Sequence, residues 1–167
     1  DVPLLDRATN HVQEIPLPVL LPHEYFNHLV RGKDIGMFQE LGPSLAHVHR
    51  TVCEQLRIDH ARCIAIGMHG DGVPHQKRRS IEVISWNFLS ANLHERHLFA
   101  VVEKHYCCNY GCGGQHTIER LLQAFSWSVK CMIQGEFPKS RHDGSAFLPS
   151  DGARLALRGK PLPFQAV

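Results

Sequence analysis

Residues 63–71, CIAIGMHGD, begin the part of the chain that decides the fold. Apolar residues alternate with small ones up to Met68, so neither side of this segment is polar, and the pattern predicts a central strand. Residues 80–89 (SIEVISWNFL) and 97–105 (HLFAVVEKH) have the same strand composition, and the short polar connection between them favours an antiparallel return. We therefore expect an α/β protein built on an antiparallel three-stranded meander with packed helices.

Length and composition indicate a single domain. With 167 residues, 43% of them hydrophobic, the chain is long enough for one core and too short for two independent ones. We expect an extended arm or linker at 1–22, where prolines recur, a helical segment at 23–59, an α/β core at 60–137 and a loop-rich tail at 138–167. Because the chain begins with Asp and ends in LPFQAV after a turn-rich stretch, we expect a processed product or a fragment.

Two segments have clear helical patterns. Pro43 at a first helical position is followed by an apolar stripe, which predicts a helix over 43–57. A longer helix is predicted to begin with Thr117 as its N-cap and to end at Gly135, and a short one is expected at 23–30. The face of the 43–57 helix that we expect to be buried carries Leu45, Val48, Val52 and Leu56.

The net charge and the positions of the cysteines indicate which binding partners and which cellular compartment to expect. The formal net charge is only +2, so an argument for a nucleic-acid partner has to rest on local clusters. No stretch has the apolar length of a membrane span, and no basic start followed by an apolar run is present, so we expect neither a membrane partner nor a secretion signal. Cys53, Cys63 and Cys131 lie on elements expected to be buried, which favours a reduced intracellular protein, nuclear if it processes nucleic acid.

Asp71 is expected to lie where the first strand ends, within Gly-Asp-Gly. A metal-dependent phosphoryl-transfer enzyme would hold Mg²⁺ or Mn²⁺ at such a place, because these ions prefer carboxylate oxygens and keep waters for the substrate. Gly-Asp-Gly is also a turn sequence, so a plain turn is the alternative. A two-metal site needs further carboxylates. Glu103 interrupts the third apolar strand and is one candidate, and Glu82 and Asp143 are the others.

A basic cluster, Lys77, Arg78 and Arg79, follows in the connection to the next strand. A basic loop beside an acidic metal site would suit a phosphate backbone, which dominates affinity for nucleic acids. The alternative is a solvated hairpin loop, since such charge clusters are common on surfaces.

The stretch 105–116, HYCCNYGCGGQH, contains a second candidate site. Cys108, Cys112 and His116 follow one another at four-residue intervals, with glycines that permit a tight wrap. Thiolates and imidazoles are ligands of tetrahedral zinc, so these residues predict a zinc site. The spacing is not that of a CxxC knuckle and no second cysteine pair follows, so an irregular loop with reduced cysteines is the alternative.

Several short motifs occur in a distinctive order. They are HGDGVP at 69–74, a strand containing SW, GGxHTxERLL at 113–122, GEFP at 135–138, RHDGSAF at 141–147 and RLALRGKPL at 154–162. This order resembles the repeated open reading frames of dinoflagellate genomes, which are themselves similar to mobile-element proteins. The resemblance implies a ribonuclease-H-like core, the scaffold of transposases and integrases, with Asp71 as a catalytic metal ligand. It also implies a second carboxylate beyond GKPL, where this chain has PFQAV, and so predicts an incomplete copy that is inactive alone.

Two functions follow from these observations. The first is a fragment of a mobile-element-type nucleic-acid-processing protein, whose complete form would use two Mg²⁺ or Mn²⁺ ions to activate water or a 3′-hydroxyl. The second is a non-catalytic module in which zinc stabilises a surface that binds nucleic acid or protein. A degenerate copy without activity is the third reading. The first function needs metal at carboxylates, whereas the second needs metal at thiolates.

Overall fold

The protein is a mixed α/β fold that combines helices with small sheets. The computed structural model describes residues 1–76 and 79–167. Within these residues the strands are β1 (Val2–Asp6), β2 (His11–Ile15), β3 (Cys63–Ile64), β4 (Ile66–Gln76), β5 (Arg79–Phe88), β6 (Arg96–Glu103) and β7 (Gln165–Ala166). The helices are α1 (Pro22–Val30), α2 (Gly36–Gln39), α3 (Pro43–Leu56), α4 (Gln115–Gln134) and α5 (Gly152–Leu157), with short 3-10 helices at His60–Arg62, Lys104–Tyr106 and Pro149–Asp151.

The predicted antiparallel three-stranded meander is confirmed. Its strand order is β4, β5, β6, and at its centre Ile84 pairs with both Gly70 and Ala100. Alternation along β5 places Ile84, Trp86 and Phe88 on one face, which is buried in the hydrophobic core. Helices α1 and α4 cover that core and contribute Phe26, Val30, Leu121, Phe125 and Met132 to it.

The first predicted strand differs from expectation. Residues 63–68 do not form one central strand, because β3 pairs with β7 in a parallel two-stranded sheet and β4 begins at Ile66 as an edge of the meander. Asp71 is not at a strand end, since β4 continues through Gly-Asp-Gly to Gln76. Pairing with β5, where Asp71 lies opposite Val83, overrides the turn preference of this tripeptide.

The amino-terminal segment is not an extended arm throughout. β1 and β2 form an antiparallel hairpin in which Leu4 and Leu5 are buried. The hydroxyl of Thr117 donates a hydrogen bond of 2.5 Å to the carbonyl of Pro3, which ties β1 to α4. Burial of these leucines favours an ordered hairpin over a free arm. Residues 16–21 lack regular secondary structure, as the prolines predicted.

The helices predicted at 23–30 and 43–57 are confirmed as α1 and α3, but α3 buries a different face. It packs against the 3-10 helix at His60–Arg62, and its buried residues are His49 and Cys53. Val48 and Leu56, which were expected to be buried, are exposed. No helix in the part of the chain that the structure describes is long and apolar enough to cross a membrane.

Helix α4 begins earlier than predicted and ends where predicted. Gly114 is its N-cap, and Gly135 closes it with a φ of +70°. Thr117 is not the cap, because its hydroxyl is buried and accepts a hydrogen bond of 3.0 Å from the main-chain N–H of Cys108. The threonine therefore joins the cysteine-rich loop to the helix.

The tail is loop-rich, as expected, and it returns to the core. Leu162 and Ala166 are buried. The main-chain N–H of Val167 donates to the carbonyl of Ile64 at 3.1 Å, and the carbonyl of Val167 accepts from the N–H of Ile66 at 2.8 Å. The last residues thus extend the pairing of β3 with β7.

Candidate metal centre

Cys108, Cys112 and His116, predicted as a zinc site, lie together in the loop that leads into α4. Their ligand atoms all lie within 4.8 Å of one another. The two sulfur atoms are 3.1 Å apart, and both residues are free thiols. Zn–S bonds of about 2.3 Å in a tetrahedral site would separate two sulfurs by about 3.8 Å, so a small outward movement of one thiol would admit the ion. This group could hold a metal ion.

The loop is held in place by its neighbours. The main-chain N–H of Cys108 donates to the hydroxyl of Thr117, which fixes the first ligand to α4. Gly114 has a φ of +89°, and a Cβ added there would lie 2.8 Å from the Cβ of Cys107. A side chain at this position would be strained by both the backbone conformation and the contact. The glycine therefore allows the loop to close onto the helix.

Two thiols of this loop have opposite electrostatic surroundings. A hydrogen bond from the main chain of His116, followed by one from the thiol of Cys108, lowers the pKa of Cys112 to about 6. Burial raises the pKa of Cys107 to about 11. At pH 7 Cys112 is therefore largely a thiolate, the form that binds metals, whereas Cys107 is a neutral thiol.

The site opens towards solvent on one side. Cys108 is buried, Cys112 is partly exposed and His116 is exposed. Three protein ligands leave one position of a tetrahedral ion for a water molecule or for a group from a partner. An ion here would lie at the surface of the protein rather than in its core.

The carboxylates predicted to bind Mg²⁺ or Mn²⁺ are not gathered into a site. Asp71 is exposed on β4. An oxygen of Glu103 lies 3.1 Å from Nδ1 of His105. Among the described residues, none of Asp71, Glu103, Glu82 and Asp143 belongs to a group of three ligand-type side chains. The described residues therefore do not support a site for two metal ions at Asp71.

The basic cluster predicted to contact phosphate falls at the connection between β4 and β5. Lys77 and Arg78 lie outside the described residues, and Arg79 opens β5. Their role in binding a phosphate backbone stays a prediction.

A second group of ligand-type side chains, His49, Cys53 and Cys63, was missed by the sequence analysis. Their ligand atoms also lie within 4.8 Å of one another, and all three residues are buried. Cys53 and Cys63 were interpreted separately, as small hydrophobic residues. The available signal was the spacing, because H-x3-C puts two ligands on one face of α3 and H-x2-C follows at His60 and Cys63.

Comparisons with protein-family models, with curated proteins and with solved structures gave no match. The resemblance to dinoflagellate reading frames, and the ribonuclease-H-like core that it implies, therefore stay predictions. The observation that bears on function is that cysteine and histidine side chains lie close enough together to hold a metal ion.

Proposed function

We propose that the chain is a non-catalytic module in which zinc, bound by Cys108, Cys112 and His116, stabilises a surface that binds single-stranded nucleic acid. The observation that carries this proposal is the convergence of the three ligand atoms at the start of α4. Thiolate and imidazole ligands favour zinc over Mg²⁺ or Mn²⁺, which prefer oxygen. Zinc-binding thiols need reducing surroundings, so the proposal places the protein inside the cell, where it would meet nucleic acid in the nucleus.

The surface beside this site supports a nucleic-acid partner. Tyr110, which lies between two of the zinc ligands in sequence, is 70% exposed. It lines a surface depression together with His116 and Arg120. An exposed aromatic ring with basic neighbours can stack on a base and contact phosphate. Glu14 and Glu119 line the same depression, which reduces its attraction for phosphate and makes stacking on Tyr110 the main expected contribution.

Replacing Cys112 with serine should weaken zinc binding at least tenfold, because it removes the ligand that is already a thiolate at neutral pH. The measurement is a competition titration of the full chain against a chromogenic zinc chelator. Cys107→Ser is the matched control, since Cys107 is an adjacent cysteine outside the ligand group. Equal zinc affinity in the two variants would contradict the proposed site.

Replacing Tyr110 with alanine should weaken binding of a single-stranded oligonucleotide about tenfold, the effect of losing one stacked base. Fluorescence anisotropy with labelled RNA and DNA of the same sequence measures this. Tyr106→Ala is the control, because Tyr106 is also exposed but does not line the depression. If the zinc-loaded chain binds neither oligonucleotide, or if both variants lose affinity alike, the nucleic-acid surface is wrong while the zinc site can stand.

Metal-dependent phosphoryl transfer by a ribonuclease-H-like core is the alternative function. The confirmed three-stranded meander is compatible with the beginning of such a core. The position of Asp71 in the middle of an edge strand, outside any group of three ligand-type side chains among the described residues, weighs against it. We therefore retain it as the prediction of the sequence resemblance alone.

A further inference from the structure

We propose that His49, Cys53 and Cys63 form a second, buried zinc site, completed by His60, which fixes α3 to β3. This site lies apart from the surface site at Cys108, Cys112 and His116 and does not depend on it. Its role is structural, because His49, Cys53 and Cys63 are buried and the ion would join α3 to β3 and to the 3-10 helix that carries His60.

The distances suit a tetrahedral ion. The Sγ of Cys53 and the Nε2 of His49 are 3.5 Å apart, and the Sγ of Cys63 belongs to the same group. Zn–S and Zn–N bonds of about 2.3 and 2.0 Å at a tetrahedral angle place sulfur and nitrogen about 3.5 Å apart. These two side chains therefore already have the separation that two zinc ligands require.

Packing in the main hydrophobic core does not explain why these three side chains are buried. Cys53 and Cys63 are fully buried, yet neither belongs to the main hydrophobic cluster. His49 is 4% exposed, and its Nδ1 lacks a hydrogen-bond partner among the described residues. Buried polar groups are normally satisfied, and the other ring nitrogen, Nε2, has only the contact with the thiol of Cys53. A metal ion on Nε2 would give the ring a stronger partner, while Nδ1 would remain without one.

The charge of the complex also suits a buried site. Cys63 is fully buried, where an isolated thiolate would be poorly solvated. One Zn²⁺ with two thiolates and two neutral imidazoles has no net charge. A neutral complex avoids the cost of an uncompensated ion in the interior, so this ligand set matches its surroundings.

A bound ion would attach helix α3 to the rest of the protein. Of its 14 residues only His49 and Cys53 are buried, and both belong to the ligand group. A helix with so little buried apolar surface has weak attachment to the rest of the protein. An ion that also binds Cys63 would link the helix directly to β3 and, through it, to β7.

His60 is the best-placed fourth ligand. Its ring centroid lies 4.9 Å from that of His49, in the 3-10 helix that leads into Cys63. Asp59 offers the nearest oxygen in sequence, but its carboxylate accepts a hydrogen bond of 3.0 Å from the main-chain N–H of Ala61. His60 lies outside the group of three ligand atoms, so its side chain would have to move to bind the ion, whereas Asp59 would have to give up its capping bond.

The first test is the number of zinc ions bound per chain, measured by elemental analysis after loading with zinc and gel filtration. The unmodified chain should hold two ions, Cys63→Ser one, and Cys112→Ser one. Cys131→Ser is the matched control, because Cys131 is a buried free cysteine outside both groups, and it should hold two. If Cys63→Ser holds as many ions as Cys131→Ser, the buried site is overturned. Failure of the surface site would instead appear as an unchanged count in Cys112→Ser.

A second measurement covers the case in which Cys63→Ser does not fold. Alkylation of the unmodified chain in mild denaturant, followed by mass spectrometry, reports the protection of each cysteine. Added zinc should slow modification of Cys53 and Cys63 at least tenfold and change the rate at Cys131 much less, and His60→Ala should reduce the protection. Equal rates with and without zinc at Cys53 and Cys63 would overturn the proposal.

Discussion

Replacing Trp86 with alanine should lower the free energy of unfolding by about 3–5 kcal/mol, the largest single-residue effect expected in this protein. Trp86 is fully buried on the core face of β5. Its ring lies 4.8 Å from that of His97, 5.4 Å from that of Phe88 and 6.4 Å from that of Tyr25, between centroids. Its indole N–H has no hydrogen-bond partner among the described residues, so the loss is one of packing.

Urea denaturation followed by circular dichroism measures this effect. Trp127→Ala is the control, because Trp127 lies on α4 and is only partly buried. It should lose clearly less stability, since less of its surface leaves water on folding. An equal loss in both variants would mean that Trp86 is not the centre of the core.

Acidification from pH 6.5 to pH 4 should remove about 3 kcal/mol of stability through His23 alone. Burial lowers the pKa of His23 to about 4. Its main-chain N–H donates to the hydroxyl of Ser128 at 3.0 Å, and Nδ1 lies 2.8 Å from the same oxygen. A neutral ring can accept the hydroxyl proton at Nδ1.

The sign of this dependence follows from linkage. Well above pH 6.5 the ring is neutral in both the folded and the unfolded chain. In that range His23 contributes no pH dependence to the free energy of unfolding. Between pH 6.5 and 4 the unfolded chain binds a proton that the folded chain does not, so stability falls as pH falls. Below about pH 4 both forms are protonated and the contribution of His23 is constant.

Comparison with His23→Gln isolates this residue, because glutamine can accept the serine hydroxyl but does not titrate. Urea denaturation at a series of pH values should show that the unmodified chain loses about 3 kcal/mol more than the variant over this range. His49 and His97, whose pKa values are also lowered by burial, are present in both proteins and cancel. Parallel curves for the two proteins would contradict the prediction.

Periodicity made the sheet predictable, because the residues that pack together recur within each strand. In β5 the large side chains of Ile84, Trp86 and Phe88 alternate with others, and this signal needs no knowledge of distant residues. The pairing of β3 with β7 had no such signal. It joins Cys63 to Gln165, far apart in the chain, through two-residue strands that are too short to show a period.

The two groups of candidate metal ligands also differ in how far the sequence predicted them. Cys108, Cys112 and His116 lie within nine consecutive residues, so their proximity could be predicted from spacing. His49 and Cys63 come from a helix and a strand, and only the path of the chain through the 3-10 helix at His60–Arg62 brings them together. Asp71 was expected at the end of a strand, but the pairing of β4 with β5 continues past it.

The position of Asp71 on an edge strand has a consequence for solubility. In the described meander β4 pairs only with β5, so from Gly67 onward its outer main-chain groups are free to template the addition of a strand from another molecule. A carboxylate on that edge repels a second copy of the same strand, and Pro74 removes one N–H from the ladder. We therefore expect Asp71 to oppose edge-to-edge aggregation, whether or not it also binds a metal ion.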